Sequence, residues 1–302
     1  MNQRKEWIDI SKGILIVLVV AGHAHINPTI DYLINSFHMA AFFLLSGITF
    51  SVKDDFEKHI GKRFKRIIIP YFFFSAFLLV YQFLSYCFFH NGNFDIVSGL
   101  RSVFLPTSGV EGTTVYHLWF LPCIFLADIV LYWIIKAYGK HPIYSALLIG
   151  IVFSVCIGIF LTTGIASIIS ILPIGIFYML CGYISRTKIA SMKSKSIVCG
   201  LISLCVYLIV VICNYQFGAK SVDMSSMNFG ILPLYIISGM AGAILIIAVS
   251  QTISKDYVFN RIGKNSLYYY GLHYEVLGVT NKVIGGGYFD HSRNPSTLIY
   301  CY

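Results

Sequence analysis

A lysine and a histidine stand eleven residues apart in the first apolar stretch of the chain, at Lys12 and His23. In a helix, eleven steps of about 100° bring the second side chain to within about 20° of the first, roughly 16 Å further along the axis. Both side chains therefore project from one face. Ionisable groups are costly inside a bilayer and usually mark functional sites there. An imidazole takes or gives a proton near neutral pH, which suits the activation of a hydroxyl nucleophile.

A simpler interpretation is that Lys12 extends to lipid phosphates while His23 bonds a backbone carbonyl. The shared face favours function over this alternative, and Asp9, three residues before Lys12, lies on the same side. The second apolar stretch returns across the membrane and places His38 at a depth comparable to that of His23. We therefore predict His23 and His38 as catalytic residues, and Lys12 offers a cation near the inner end of the same helix face. Gly47, near the other end of this stretch, allows a neighbouring backbone to pack closely.

A basic cluster precedes the third apolar stretch and contains Arg63 and Arg66. Guanidinium groups bind phosphate oxygens through two parallel hydrogen bonds, so both arginines are candidates for holding a phosphate-bearing ligand. The alternative is that they only anchor the inner membrane face. His117, His273 and Glu275 are further titratable groups within or beside apolar stretches. His117 fits an interfacial position, and the other two either line the same cavity or pair with a neighbour.

The composition excludes a soluble domain, with 302 residues, 57% hydrophobic and only 12% charged, and a mean hydropathy of +0.75. A bilayer core needs about 20 apolar residues per helix. The continuous apolar runs predict an all-α, polytopic membrane helix bundle, and they lack the short alternation of a barrel. Nine spans are predicted: 9–26, 33–50, 67–89, 117–137, 143–162, 165–185, 197–217, 229–250 and 266–284.

The net charge of +9 is explained by where the lysines and arginines lie relative to the predicted spans. If the N-terminus is cytoplasmic, eighteen of the twenty-two lysines and arginines fall on the inner side of these nine spans. This asymmetry predicts a multi-pass protein of the plasma membrane and argues against a nucleic-acid partner. The cysteines lie mostly within apolar runs, without zinc-ligand spacing, so no metal site is predicted.

The rest of the chain is compactly organised, with one long outward loop at 90–116 and no repeat that relates its two halves. The absent repeat weakens a transporter interpretation, because many carriers are built from repeated halves. The segment 286–302 is polar. It is interpreted either as a short tail or as the point where the chain is cut short before a further helix.

Four short motifs, in this order and spacing, resemble the membrane-bound acyltransferase 3 family and within it the branch of fucose 4-O-acetylase-like proteins. The motifs are Trp7–Gly13 with ten residues between Lys12 and His23, Phe37–Met39 followed by Phe42–Gly47, Arg63–Arg66 before Pro70 and Tyr71, and Trp119–Pro122. Gly271–His273 matches more weakly. The resemblance implies one membrane-embedded acyltransferase domain over residues 1–285. Members commonly have ten spans, one more than predicted here.

The resemblance also implies that acetyl-CoA from the cytoplasm donates an acyl group to a hydroxyl of an envelope carbohydrate, with the first-span histidine essential. Many members carry arginine at the position of Lys12. The resulting hypothesis places the CoA phosphates at Lys12, Arg63 and Arg66 and the thioester at His23, which acts as a base or as a transient acyl carrier. The competing interpretations are a transporter or flippase for a lipid-linked sugar or small anion, which uses the same residues as a substrate path, and a non-enzymatic assembly factor.

Overall fold

The computed structural model describes residues 6–24, 27–89, 95–104, 115–138, 168–253 and 256–284. In these residues every regular element is helical, and the one β feature is an isolated bridge between Asp223 and Asn228. The all-α prediction is thus confirmed for the described part of the chain. The helices are α1 (Glu6–His23), α2 (Pro28–Asn35), α3 (His38–Thr49), α4 (Phe56–Arg63), α5 (Ile69–Phe89), α6 (Ile96–Phe104), α7 (Phe120–Tyr138), α8 (Ile168–Ser191), α9 (Ser196–Phe217), α10 (Leu232–Ile253), α11 (Tyr257–Lys264) and α12 (Ser266–Ile284).

Five helical runs among the described residues are long and apolar enough to cross a membrane: Pro28–Thr49, Phe56–Phe88, Tyr116–Ala137, Ile168–Phe217 and Leu232–Ile253. They coincide with six predicted spans, because the run of 50 residues joins α8 and α9 through a 3₁₀ turn at Met192–Lys195. Predicted spans 9–26 and 266–284 correspond to α1 and α12. Ionisable residues interrupt the apolar sequence of both helices: Glu6, Asp9 and Lys12 in α1, and Glu275 and Lys282 in α12. Predicted span 143–162 and the segment 286–302 lie outside the described residues. The count of nine therefore stays a prediction.

Two segments predicted as inner loops are partly helical. The basic segment before the third span forms α4, which continues through a π-helical turn at Phe64–Ile68 into α5. The segment between the last two spans contains α11, whose N-terminus is capped by Asp256, since its Oδ1 accepts a hydrogen bond from the Phe259 N–H at 2.7 Å. Both helices are amphipathic and only eight residues long. Helices this short form mainly because of tertiary packing, so a search for long apolar runs does not detect them.

The helices form two compact units. One contains α1, α2 and α9–α12, and the other contains α4–α7. The chain passes from the first unit to the second within α3, after Phe42, and returns within α8, after Arg186.

In the first unit, α1 and α11 cross at two glycines that leave no room for a side chain. A Cβ at Gly13 would overlap the backbone carbonyl of Phe259, and a Cβ at Gly263 would overlap the carbonyl of Asp9. Small residues at a crossing let two helix backbones approach, which is how helices commonly associate in membranes. The backbones of α11 and of the first half of α1 are therefore packed in direct contact.

Gly263→Ala should destabilise the protein by at least about 1–3 kcal/mol, the usual range for a methyl forced into a packed interior. The obstacle is a backbone carbonyl, which cannot rotate away as a side chain would. A lower melting temperature in detergent would show the effect. Gly278→Ala in α12 is the matched control, because nothing lies within 4 Å of the position where its Cβ would be. An unchanged melting temperature for Gly263→Ala would show that the two helices are not held by this contact.

In the second unit, the end of α3 crosses α8 in the same way. A Cβ at Gly47 would overlap the carbonyl of Met179, and a Cβ at Gly182 would overlap the carbonyl of Leu44. The close approach expected from Gly47 is confirmed, and its partner is now identified as α8. This unit also contains an aromatic layer in which the rings of Phe56 and Tyr132 lie 5.4 Å apart.

Candidate active site

The first predicted catalytic residue, His23, ends α1 and lies against α12. Its ring centroid is 5.0 Å from that of His273 and 5.7 Å from that of Tyr274. His23 is half-buried, whereas His273 is only 4% exposed. The structure therefore brings together two imidazoles that are 250 residues apart in the sequence.

The tautomer of neutral His273 is set by the backbone. Its Nδ1 lies 2.8 Å from the carbonyl oxygen of Tyr270. A carbonyl oxygen only accepts hydrogen bonds, so Nδ1 must carry the proton and donate it. In the neutral ring the basic lone pair is then on Nε2. A histidine fixed in this way is suited to accept or relay a proton at a defined atom.

His38, the second predicted catalytic residue, belongs to the same neighbourhood. It is 6% exposed and lies within electrostatic range of His273. Its Nδ1–H donates to the carbonyl oxygen of Ile34 at 2.8 Å, which again leaves Nε2 as the basic nitrogen of the neutral ring. Asp223, from the segment between α9 and α10, is also within electrostatic range of His38. Three histidines and a carboxylate are thus gathered in the first unit.

The position of His38 depends on a break in the second predicted span, between α2 and α3. Where a helix breaks in a membrane, the exposed carbonyls need other hydrogen-bond donors. Four consecutive carbonyls at this break accept hydrogen bonds from side chains of the first unit. Leu33 accepts from Tyr207 at 2.6 Å, Ile34 from His38 at 2.8 Å, Asn35 from Tyr235 at 3.3 Å and Ser36 from Ser238 at 3.1 Å.

The segment that carries Asp223 is held by a buried amide. Asn214, 1% exposed in α9, donates from Nδ2 to the Phe229 carbonyl at 3.0 Å and accepts at Oδ1 from the Ile231 N–H at 2.8 Å. Gly230 adopts a positive φ of 62° against the Asn214 side chain, a conformation that favours glycine. Asp223 is paired with Asn228 in the isolated β-bridge, so hydrogen bonds from α9 also help to position Asp223.

Lys12, predicted to bind the donor, lies on the same uninterrupted helix as His23, because α1 runs from Glu6 to His23. Lys12 is half-buried, and Asp9, one turn before it, is 2% exposed. The helical geometry assumed for Lys12 and His23 is therefore present in the structure. Glu275, the other titratable group of α12 within the last predicted span, is half-buried.

In the second unit, the predicted donor-binding residue Arg63 is engaged with a buried carboxylate. Its Nη2 lies 2.7 Å from Oδ2 of Asp128, and the other oxygen, Oδ1, lies 2.5 Å from Nε2 of His59. Asp128 is 1% exposed, and its partners come from α4, one turn apart. One nitrogen of the Arg63 guanidinium is thus used in an ion pair within the protein. The Arg63 side chain is 22% exposed, so it also reaches the surface of the unit.

The other basic side chains of this region differ in their surroundings. Lys62 donates to Asp54 at 2.6 Å, and this hydrogen bond holds the pKa of the Asp54 carboxyl below its usual range. Arg66 is exposed and lies in the π-helical turn. Such turns often occur at functional sites, since they change the register of a helix. Arg66 is therefore the arginine of the pair that is more accessible to a ligand.

Sequence reasoning missed His59, Asp128 and Asp223. One signal was available for Asp128, because a carboxylate within the apolar run of α7 needs a partner. A second was available for His59, which precedes Arg63 by four residues and so shares its helix face once α4 is recognised. No comparable signal marks Asp223. His117, expected at an interface, is 3% exposed in the 3₁₀ turn before α7.

These features define an all-helical membrane protein with a cluster of histidines inside one helical unit. The chain matches the acyltransferase 3 family model, described as an acyltransferase domain, over residues 5–301. The chain therefore belongs to the acyltransferase 3 family, and this membership supports a membrane acyltransferase. Comparisons with curated proteins and with solved structures found no match.

Proposed function

We propose that this protein is an O-acyltransferase that moves an acetyl group from cytoplasmic acetyl-CoA to a hydroxyl of an envelope carbohydrate, such as a capsule, an exopolysaccharide or a lipid-linked sugar. The observation that carries the proposal is the contact between His23 and His273, at 5.0 Å, at one end of the helix that also bears Lys12. In this proposal the N-terminus is cytoplasmic and the protein lies in the plasma membrane. The proposal also places the chain in the fucose 4-O-acetylase-like branch of the family.

In the proposed reaction, His23 accepts the proton of the acceptor hydroxyl as its oxygen attacks the thioester carbonyl. The carbon–sulfur bond then breaks, and the CoA thiolate leaves and takes up that proton. In the alternative route, a ring nitrogen of His23 attacks the thioester carbonyl, the carbon–sulfur bond breaks and the CoA thiolate leaves. The acceptor hydroxyl oxygen then takes the acyl group from the ring nitrogen, and the hydroxyl proton passes to the thiolate. His273 and His38, each with Nδ1 held by a backbone carbonyl, orient the site and provide neighbouring bases.

The direct test is transfer of a labelled acetyl group from acetyl-CoA to carbohydrate in isolated membranes that contain the protein. We expect acetylated glycan in these membranes and none in membranes of a strain without the gene. Mass spectrometry of the envelope glycans would identify the acceptor by the mass that an acetyl group adds. If glycan acetylation is identical with and without the gene, the proposed reaction is wrong.

A transporter or flippase is the second candidate, and the break between α2 and α3 favours it, because carriers often use interrupted helices at their substrate sites. Those sites need backbone carbonyls that face the ligand. Here four consecutive carbonyls at the break accept hydrogen bonds from protein side chains. Proteoliposomes separate the two candidates, since a flippase moves a lipid-linked sugar without acetyl-CoA, whereas the acyltransferase consumes the thioester.

Arg63 and Arg66 of the second unit are proposed to bind a phosphate of the donor. Arg66→Glu should raise the apparent KM for acetyl-CoA by about tenfold or more, because a charged hydrogen bond to phosphate contributes roughly 1.5–3 kcal/mol. Initial rates at several acetyl-CoA concentrations would measure it. Arg66 is the better test of the two arginines, since a change at Arg63 also disturbs Asp128.

Lys65→Glu is the matched control, because it makes the same change of charge sign on the neighbouring exposed residue. A general effect of charge on topology or steering would raise KM equally in both variants. An equal rise, or an unchanged KM in Arg66→Glu, would assign the cluster to membrane anchoring alone.

A further inference from the structure

The connection between α9 and α10 folds into a fixed loop that carries one carboxylate, Asp223. Its backbone closes through two hydrogen bonds, from the Asp223 N–H to the Asn228 carbonyl at 2.8 Å and from the Asn228 N–H to the Asp223 carbonyl at 3.0 Å. The residues on either side of Asp223, Val222 and Met224, are each 1% exposed. The half-buried carboxylate is therefore carried by a backbone that is anchored in the first unit.

An aromatic contact places this loop beside the helix break that carries His38. Phe229, the residue after the hydrogen-bonded pair, lies against Tyr235 of α10, with their ring centroids 5.0 Å apart. The Tyr235 hydroxyl in turn donates to the Asn35 carbonyl at the break. Asp223 is accordingly within electrostatic range of both His38 and Tyr235.

The histidine cluster, which consists of His23, His38 and His273, has to hold a positive charge during the proposed reaction. When the hydroxyl proton passes to His23, an imidazolium forms in ring contact with His273. The Nδ1–H groups of His38 and His273 donate to backbone carbonyls, which orient the rings but carry no formal charge. A buried ion is costly unless an opposite charge lies near it, so the cluster needs a carboxylate.

The first unit offers more than one carboxylate for this role. Glu275 is closest to His273 in sequence, but it follows that residue by two positions and so projects about 200° around α12 from it. Asp223 is within electrostatic range of His38, and His38 is within electrostatic range of His273. The arrangement therefore favours Asp223 over Glu275.

We propose that Asp223 is the counter-charge of the histidine cluster and stabilises the imidazolium that forms while the cluster holds the hydroxyl proton. This inference rests on the proposed function and makes it more specific. The carboxylate stays ionised throughout. The proton moves from the hydroxyl to the cluster and then to the CoA thiolate, so none is gained or lost. Because Asp223 acts through the histidines, it is a positioning residue.

The kinetic test measures labelled acetyl transfer to glycan in isolated membranes that contain the full-length protein, at several acetyl-CoA concentrations. Asp223→Asn should lower kcat by about tenfold, because the imidazolium loses its counter-charge. It should leave the KM for acetyl-CoA within about twofold, because the charge acts on the transition state and not on donor binding. The loop should keep its fold, since both hydrogen bonds of the bridge are between backbone atoms. Asp223→Glu retains the charge and should recover most of the kcat.

Asp55→Asn is the matched control, because it makes the same substitution at an exposed residue of the second unit whose side chain makes no capping hydrogen bond. Its kcat should be unchanged. In a His38→Gln background, Asp223→Asn should cause a smaller loss than it does alone, because the two residues act together. Equal losses in both backgrounds would overturn the proposal. A fall in folded protein that accounts for the lower kcat, without recovery in Asp223→Glu, would assign Asp223 to the loop fold alone.

Melting temperatures in detergent provide a readout that does not need acetyl transfer. The double-mutant cycle of Asp223→Asn and His38→Gln is measured at about pH 5.5 and at about pH 8, on either side of the usual histidine titration. The coupling should be larger at the lower pH, because an imidazolium attracts a carboxylate and a neutral imidazole does not. Coupling that is absent or equal at the two pH values would overturn the proposal.

Failure of this inference can be distinguished from failure of the proposed function. If acetyl transfer occurs and Asp223→Asn keeps the kcat of the unmodified protein, the inference is wrong and the acyltransferase assignment stands. If the pH-dependent coupling is present but acetyl-CoA is not consumed, Asp223 stands as the counter-charge of the histidine cluster and the proposed reaction is wrong.

Discussion

His23→Ala is expected to abolish measurable acetyl transfer while the protein remains folded in the membrane. A general base typically contributes about 10²–10⁴-fold to the rate, and a covalent acyl carrier would contribute at least as much. The ring of His23 lies against His273 and Tyr274 at the end of α1, so its removal leaves the core of the first unit in place. Initial rates with saturating acetyl-CoA would measure the loss, and size-exclusion profiles would confirm folding.

Val17→Ala is the matched control for this prediction. Val17 lies on the same helix, is 42% exposed and projects about 120° around the helix from His23, so its truncation removes apolar atoms from a different face. It should retain transfer activity. Transfer by His23→Ala at the rate of the unmodified protein would reject the catalytic assignment and return His23 to the structural interpretation.

His273 offers a check on the mechanism within the same experiment. If His273 orients His23, His273→Gln should lower kcat with little change in the KM for acetyl-CoA, because the donor is held elsewhere. A purely structural role would lower the melting temperature and reduce kcat and active protein together.

Asp128→Asn is expected to cause the largest loss of stability, roughly 3–5 kcal/mol, because it leaves Arg63 without its buried counter-charge. The carboxylate bridges Arg63 and His59 through its two oxygens at 2.7 and 2.5 Å, and it is 1% exposed. The asparagine amide keeps the size of the side chain but removes the charge. The melting temperature in detergent, or resistance to proteolysis in membranes, would report the effect.

Two variants test whether the pair causes this loss. Asp54→Asn makes the same substitution in the exposed pairs with Lys62 and Lys58, and it should change stability little, because exposed ion pairs contribute little. Asp128→Leu combined with Arg63→Met removes both charges together and should recover most of the stability lost by Asp128→Asn. A melting temperature that does not change in Asp128→Asn would show that the buried pair is not important for folding.

Some features of the site follow from the sequence because they depend on one helix. The relation between Lys12 and His23 needs only the helical repeat, and α1 provides it without interruption. The apolar runs identify the helices, because a segment within the bilayer must hydrogen-bond its own backbone N–H and C=O groups. Gly47 signals a close crossing, since no other residue lets a backbone approach so nearly.

The helix ends are less predictable. The second span was expected to be continuous, yet it breaks at Ser36 and Phe37, where neither glycine nor proline is present. The break is stable because Tyr207, Tyr235 and Ser238 donate hydrogen bonds to the freed carbonyls from distant helices. Local sequence does not contain that information, so only packing reveals it.

By itself, the sequence determined that this is a helical membrane protein, where most of its spans run, and that one helix carries a lysine and a histidine on one side. The tertiary structure decided which remote groups meet them: His273 beside His23, Asp128 between Arg63 and His59, and α11 against the start of α1. Helical periodicity is a property of neighbouring residues. Contacts between helices depend instead on close packing among side chains that the chain brings together only when it folds.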